Sequence, residues 1–282
     1  MAIELIPAEQ FTLQELTDLY NQTRVDYLVP MPMNTSRLEE YIRDFDIALS
    51  QSCVARAANG KMLGLCMLGI RPNQAWITRL GVLPATRRHG VGSALMDCMM
   101  ENAIKLGAKT SQLEVIKNNL PAYHFFSCKD FKEAGEYLVM RRAPHATSEP
   151  LRGIVDWLDS DKALEALQSY PNHLTWINAL ESMQNARDLE GLRLTLPDGS
   201  AGWLVYRNTK FTLRSTLTHL IIHTEQGNPT EVGTQLLLNL HKHYSHHDTY
   251  AENIHKDDPH LTAFQTLGYF ENFSRIEMFQ SL

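Results

Sequence analysis

Val82-Leu83-Pro84-Ala85-Thr86-Arg87-Arg88-His89-Gly90-Val91-Gly92-Ser93 is the stretch on which the reading of this chain turns. It follows a strand-like run, residues 75–83 (AWITRLGVL). It precedes a segment in which Leu95, Met99, Ala103 and Leu106 recur at helical spacing, with Gly107 as a stop. Gly90 and Gly92 let the main chain come close to a ligand and turn several N–H groups toward one point. The helix start adds unpaired donors and the positive end of its dipole, while Arg87 and Arg88 add formal charge. Together these describe a site for a diphosphate. A bare Gly-x-Gly is equally the mark of an ordinary tight turn, so the flanking sequence has to decide.

Outward from the loop, strand and helix signals alternate. Residues 3–6 read as a short strand, and residues 13–27 and 36–45 as helices joined by the link Val29-Pro30-Met31-Pro32-Met33. Residues 53–57 and 62–70 flank Asn59-Gly60, a strong hairpin signal because both turn positions require positive φ. After the long helix, residues 113–116 return to strand, 121–128 to helix and 137–140 to strand. Residues 144–160, with Pro144, Pro150 and Gly153 and little periodicity, read as a linker.

The plan then repeats. Asp198-Gly199 is a second hairpin turn, residues 216–223 a strand, and a helix is expected from about Val232. Val91-Gly92-Ser93-Ala94-Leu95 is echoed by Val232-Gly233-Thr234-Gln235-Leu236 at a separation of 141, and Lys129-Asp130-Phe131 by Leu267-Gly268-Tyr269 at 138. Near-constant spacing argues for an internal duplication, against a background of chance similarity between short apolar segments.

The loop resembles the (Gln/Arg)-x-x-Gly-x-(Gly/Ala) signature of the GNAT superfamily of acetyl-CoA-dependent N-acetyltransferases, and here it is preceded by Val82-Leu83-Pro84 and followed by the long helix. Downstream, Leu113-Glu114-Val115, Asn119-Leu120-Pro121-Ala122, Phe125-Phe126 and Phe131 are similar to that family's second motif. Residues 20–33 and 47–101 also look like the N-terminal part of tandem-GNAT bacterial proteins. The resemblance implies an α+β fold of two tandem GNAT-like domains, 1–145 and 146–282, each a mixed central sheet flanked by helices. It further implies acetyl-CoA as co-substrate. Leu80 and Val82 would offer main-chain groups to the pantetheine arm. His89, Gly90, Val91, Gly92 and Ser93 would cradle the pyrophosphate with Arg87 and Arg88 close by, and Asn119 and Phe126 would line the cofactor site. Glu114 matches a strand glutamate that some members use as general base; a plain structural carboxylate is the alternative.

Two departures stand out. Phe126 occupies the place where many members have a tyrosine that protonates the leaving thiolate, which makes Tyr123, one turn earlier, the candidate acid. Asp130 stands where the motif has glycine. In the second half, Glu231 replaces Gly90, and Pro229 removes a donor, so a degenerate module that binds no CoA is expected there. The acceptor is expected to be a primary amine on a small molecule or peptide. The rival class is a CoA-binding sensor or assembly module that has lost catalysis.

Charge and composition narrow the alternatives. Residues 1–145 carry sixteen basic and fifteen acidic side chains, net +1, whereas residues 146–282 carry ten and seventeen, net −7. That balance disfavours nucleic acid as partner and favours a polyanionic ligand on the first half. No apolar run is long enough to span a bilayer, and residues 1–7 lack the features of a leader, so a cytoplasmic protein is expected. Cys53, Cys66, Cys98 and Cys128 have no metal-ligand spacing and read as reduced, mostly buried thiols. His241, His243, His246 and His247 crowd one helix end, with His255 and His260 beyond; a solvated helix is the reading preferred over a metal site, and no metal is expected. A homodimer is left open.

Overall fold

Asn59-Gly60 closes the first hairpin, but only Gly60 is left-handed (φ 83°) and Asn59 is not; the Ala57 N–H donates to Lys61 O at 2.9 Å. The computed structural model describes residues 2–147, 149–210 and 215–282. They form two compact units, Met1–Ala134 with Glu277–Leu282, and Gly135–Ile276.

The first unit opens with β1 (Ile3–Pro7), α1 (Leu13–Gln22) and α2 (Thr35–Asp44), followed by the meander β2 (Cys53–Ala57), β3 (Met62–Arg71) and β4 (Gln74–Val82). After the loop come α3 (Val91–Lys105), β5 (Thr110–Ile116), α4 (Leu120–Ser127) and the first residues of β6 (Lys132–Arg142). β1 to β4 pair antiparallel in order, and β4 pairs parallel with β5. The segment Glu277–Leu282 completes this sheet next to β5, and the Leu282 N–H reaches Lys109 O at 2.9 Å. α3 lies on β3 and β4, burying Val91, Leu95, Met96 and Met99 at 1% exposure or less. This burial of a single helical stripe holds the loop end of α3 in place.

The second unit follows the same plan: β7 (Ile154–Leu158), α5 (Ser160–Gln168), α6 (Leu180–Asn185), β8 (Leu189–Thr195), β9 (Ala201–Lys210), β10 (Ser215–Gln226), α7 (Pro229–His243), β11 (Asp248–His255), α8 (Leu261–Thr266) and β12 (Phe270–Ser281). β7 to β10 pair antiparallel in order, β10 pairs parallel with β11, and β11 pairs antiparallel with β6. Its core joins Leu192, Leu204, Leu236, Leu240 and Phe264.

Both units carry the same irregularity. In the first, register shifts between the pairs Leu65↔Gly81 and Met67↔Thr78, so Arg79 and Leu80 together face Cys66; in the second, His219 and Leu220 face Tyr206 between Thr218↔Arg207 and Ile221↔Val205. The bulge residues Arg79 and His219 both lie in the left-handed region, φ 54° and 53°, and their numbers differ by 140. Asp130 (φ 64°) and Gly268 (φ 83°) also match, which explains the departure at 130: aspartate is among the few side chains that tolerate this conformation.

Three expectations are corrected. α1 ends at Gln22 and not near residue 27, because Thr23 turns its hydroxyl back to Tyr20 O (2.7 Å) and the chain bends so that Arg24 stacks on Tyr20 and Tyr27. β7 lies inside the stretch read as linker; it is a short strand beside β8 whose Ile154 is exposed, so it shows no apolar alternation. α7 starts at Pro229, where a proline at the first helical position needs no N–H partner.

Candidate active site

The mouth of α3 is built by conformation before chemistry. Arg88 (φ 64°) and Gly90 (φ 83°) are both left-handed, with His89 between them pinned through Nδ1 to Arg87 O at 2.8 Å. Gly90 is the N-cap of α3 and provides no side-chain cap, so the first-turn amides face outward without a protein acceptor from that position. A Cβ added at Gly92 would come no closer than 3.7 Å to Val82 Cγ2 and 4.0 Å to Phe125 Cζ. The protein itself would thus accept alanine there, and the space above the glycine is a cradle that a side chain would fill. The oriented donors, helix dipole and exposed Arg88 match the requirements of a pyrophosphate.

Arg87 has a different task. Its guanidinium grips Asp26 with two hydrogen bonds, donates to Thr23 O at 3.1 Å, and its Nε donates to Val82 O at 3.1 Å. The guanidinium holds the Asp26 carboxyl below the usual carboxylate range. Arg87 therefore ties the loop to the turn after α1, leaving Arg88 as the cation with no ion-pair partner among the described residues.

From the loop, β4 runs back toward its bulge along a split in the sheet. Registered pairs between β4 and β5 extend only from Gln74↔Thr110 to Trp76↔Gln112, after which β4 continues to Val82 and β5 to Ile116. Leu80 and Val82 border that split half-buried, on one side, and Glu114 half-buried, on the other. Asn119 caps α4, its Oδ1 accepting from Ala122 N at 3.4 Å.

A polar and aromatic cluster gathers around the bulge. Arg79 donates to the Tyr20 hydroxyl at 2.9 Å and stands 4.1 Å over the Tyr41 ring; Tyr41 and Thr78 share a hydrogen bond of 2.6 Å. Burial pushes the Tyr41 phenol up; Arg79 opposes that shift and Glu114 adds to it, which puts both charges within electrostatic reach of one ring. The link after α1 is fastened to the same cluster, with the Tyr20 hydroxyl donating to Met31 O (3.1 Å) and Asn21 bonded both ways to Met33. Sequence reasoning named Glu114 and the link, but not Tyr20, Tyr41, Thr78 or Arg79. A left-handed arginine in mid-strand leaves no composition signal.

Tyr123 and Phe126 are separated by their surroundings. Phe126 is buried against Phe125 and Phe131. Tyr123 donates its hydroxyl to Glu133 at 3.1 Å, and that carboxylate raises the phenol's pKa.

The corresponding mouth in the second unit is closed. Asn228 caps α7 by accepting from Thr230 N (2.9 Å) and Glu231 N (3.2 Å), and Glu231 is paired with Arg152. A Cβ at Gly233 would meet His260 Cδ2 at 3.1 Å and Ala263 Cβ at 3.2 Å. His260 itself is fixed by Asp258 (3.0 Å) and Thr224 (2.9 Å).

The histidine-rich end of α7 departs from a uniformly solvated helix. His241 is fully buried and bonded to the Tyr269 hydroxyl at 3.0 Å, whereas His243 stacks on Trp157. Among the described residues, no group of three His, Cys, Asp or Glu is placed to hold a metal ion. Cys53 and Cys66 are buried, Cys98 half-buried and in thiol contact with Cys53 at 2.7 Å, and Cys128 is exposed, a departure from the expectation of burial. No helix is long and apolar enough to cross a membrane among the described residues.

The sequence profile of the Acetyltransferase (GNAT) family matches residues 13–130. Residues 13–130 are thus similar to a GNAT-family acetyltransferase domain. Over 62 residues the chain is 37% identical to N-alpha-acetyltransferase 60 of Danio rerio, a match covering 21% of this chain and 26% of that one. The chain therefore spans about a quarter of that relative's length. The GNAT fold extends further. A GCN5-related N-acetyltransferase from Sphaerobacter thermophilus superposes with a TM-score of 0.71 at 13% identity, covering 99% of this chain and 95% of the other. A tandem GNAT protein from the clavulanic acid biosynthesis pathway gives 0.69 at 14% identity, covering 99% and 98%. These two likenesses are of fold, and they agree with a mixed α/β architecture of tandem GNAT type.

Proposed function

We propose that the first unit binds acetyl-CoA and transfers its acetyl group directly to a primary amine, on a small molecule or a peptide, in a ternary complex. The carrying observation is the uncapped start of α3: outward amides at a left-handed Gly90, the open cradle over Gly92, and Arg88 without a carboxylate partner among the described residues. His89, Gly90, Val91, Gly92 and Ser93 would hold the pyrophosphate. Leu80 and Val82 border the split that would take the pantetheine arm, with Asn119 and Phe126 at its far side.

Bound acetyl-CoA would supply an activated acyl carbonyl and a thiol leaving group. The residues around the bulge orient the acceptor beside it. Glu114 takes, directly or through water, the proton that the amine must lose as the new C–N bond forms and the C–S bond breaks. Tyr123 is a reluctant donor because Glu133 stabilises its neutral phenol, and solvent can return a proton to the thiol in its place. The second unit is read as a degenerate GNAT module: it repeats the strand order and bulge, while Asn228, Glu231 and His260 occupy what the first unit leaves open.

Calorimetry with acetyl-CoA followed by a thiol-release assay over an amine panel tests the reading. One tight site per chain and amine-dependent thiol release are expected. Tight binding without release for any amine would support the rival sensor role, and absence of binding would remove both.

A further inference from the structure

Most arginines of the first unit are neutralised at short range: Arg37, Arg43, Arg56, Arg71 and Arg87 each face a carboxylate at 2.6–3.0 Å. Arg88 is not, and the proposed diphosphate accounts for it. Arg24 is not neutralised in this way either. It is half-buried, its guanidinium stands 4.7 Å from the rings of both Tyr20 and Tyr27, its Nε is buried without a hydrogen-bond partner, and no carboxylate among the described residues pairs with it.

Its location gives this charge a meaning. If the diphosphate sits at the mouth of α3 and the arm runs back along β4, the acyl end arrives at the bulge, residues 79–80. Arg24 faces that bulge: it shares the Tyr20 ring with Arg79, and its charge is felt at Cys66, the residue opposite the bulge. The acceptor end thus holds two guanidinium groups on one buried tyrosine, and Glu114 lies within electrostatic reach of Tyr41. A polycationic acceptor would meet repulsion from Arg24. An acceptor with a carboxylate would meet a planar fork of donors that aromatic faces already hold in position, and its amine could reach the carboxylate of Glu114.

We propose that Arg24 holds a carboxylate of the acceptor, which makes the substrate class a small amine that carries its own carboxylate, of amino-acid type. The proposal rests on the acyl-transfer reading above and narrows it. Arg24 is the specificity residue here, and Glu114 takes the amine proton as before.

The test compares amino acids with their carboxamides and with the corresponding decarboxylated amines, each with acetyl-CoA and the full chain. The acids are expected to show kcat/KM at least about 10-fold above their amides, as a lost charge-assisted pair requires. In Arg24→Met, which keeps the stem on the tyrosines, that preference should disappear through KM while the amides are unaffected. Equal or better use of amides by the unaltered protein overturns the proposal, as does a preference that survives Arg24→Met. The same holds if the Arg24-dependent preference is for a carboxylated acyl donor such as succinyl-CoA. Calorimetric titration of the acids and amides into the CoA-saturated protein separates the two levels. Arg24-dependent binding of acids without any acetyl transfer would uphold the carboxylate subsite and sink the transfer reading. Transfer to amines without carboxylate discrimination would do the reverse.

Discussion

Arg87 and Asp26 form a two-point ion pair, Nη1 to Oδ2 at 2.6 Å and Nη2 to Oδ1 at 2.7 Å, that joins the loop before α3 to the turn after α1. The neighbouring Arg88 has no such partner among the described residues. Two adjacent arginines that look equivalent in the sequence are therefore expected to behave differently. Arg88→Ala should weaken acetyl-CoA binding by roughly 10-fold and flatten its salt dependence, since an unpaired cation is removed from a phosphate site. Arg87→Ala should weaken binding less and lower stability only modestly, as loss of an exposed pair does. Calorimetry at two ionic strengths and thermal melts of both variants check this, and the reverse ranking would refute it.

Gly90 and Gly92 are distinguished by what each excludes. Gly90→Glu places an acidic side chain at φ 83° in open space, at a conformational cost of about 1–2 kcal/mol, and should abolish acetyl-CoA binding while the chain stays folded. Gly92→Ala meets only ordinary van der Waals neighbours inside a helix, so its melting temperature should hold or rise while its affinity falls. Unaltered affinity in both would show that the cradle is not used.

Glu114 lies on β5 beyond the last residue paired with β4, at the open side of the split. Glu114→Gln keeps the shape and removes the base. Turnover should drop by roughly 100-fold, within the usual range for general-base removal, with acetyl-CoA affinity intact. Steady-state kinetics and calorimetry on the same preparation decide; full activity would send the amine proton elsewhere.

His241 sets a pH limit on the second unit. Burial, with Arg142 and His145 nearby, lowers its pKa from 6.5 to about 3, so the folded chain holds the neutral ring. The unfolded chain takes up a proton below pH 6.5 and the folded one does not, so this contribution is complete above pH 6.5. It is lost as pH falls from 6.5 toward 3, by up to about 1.4 kcal/mol per pH unit. Denaturant titrations between pH 7 and 4 should show a slope shallower by about one proton in His241→Gln. Identical slopes would mean that the ring is already charged or exposed.

What could be read in advance follows from which forces are local. Asn59-Gly60 and Asp198-Gly199 announce their hairpins because positive φ demands particular residues at the turn. The helix after Gly90 declares itself through the spacing of Leu95, Met99 and Ala103. The bulge at Arg79 and its counterpart at His219 were hidden, because neither residue type signals the left-handed region and the register shift depends on the partner strand. The division of labour between Arg87 and Arg88 was hidden for a related reason: Asp26 lies 61 positions away from Arg87, and its neutralising effect exists only once α1 has docked. Likewise, His241 belongs to a polar cluster in sequence and to an apolar core in space.

The assignment of Glu277–Leu282 to the first unit has a consequence for biosynthesis. A ribosome that has finished the cofactor loop, α3 and β5 has not yet made the segment that borders β5, and must first extend the chain through the whole of Gly135–Ile276. Until then the β5 edge stays open to strand addition by other chains, which makes nascent or C-terminally clipped polypeptide the form most exposed to aggregation.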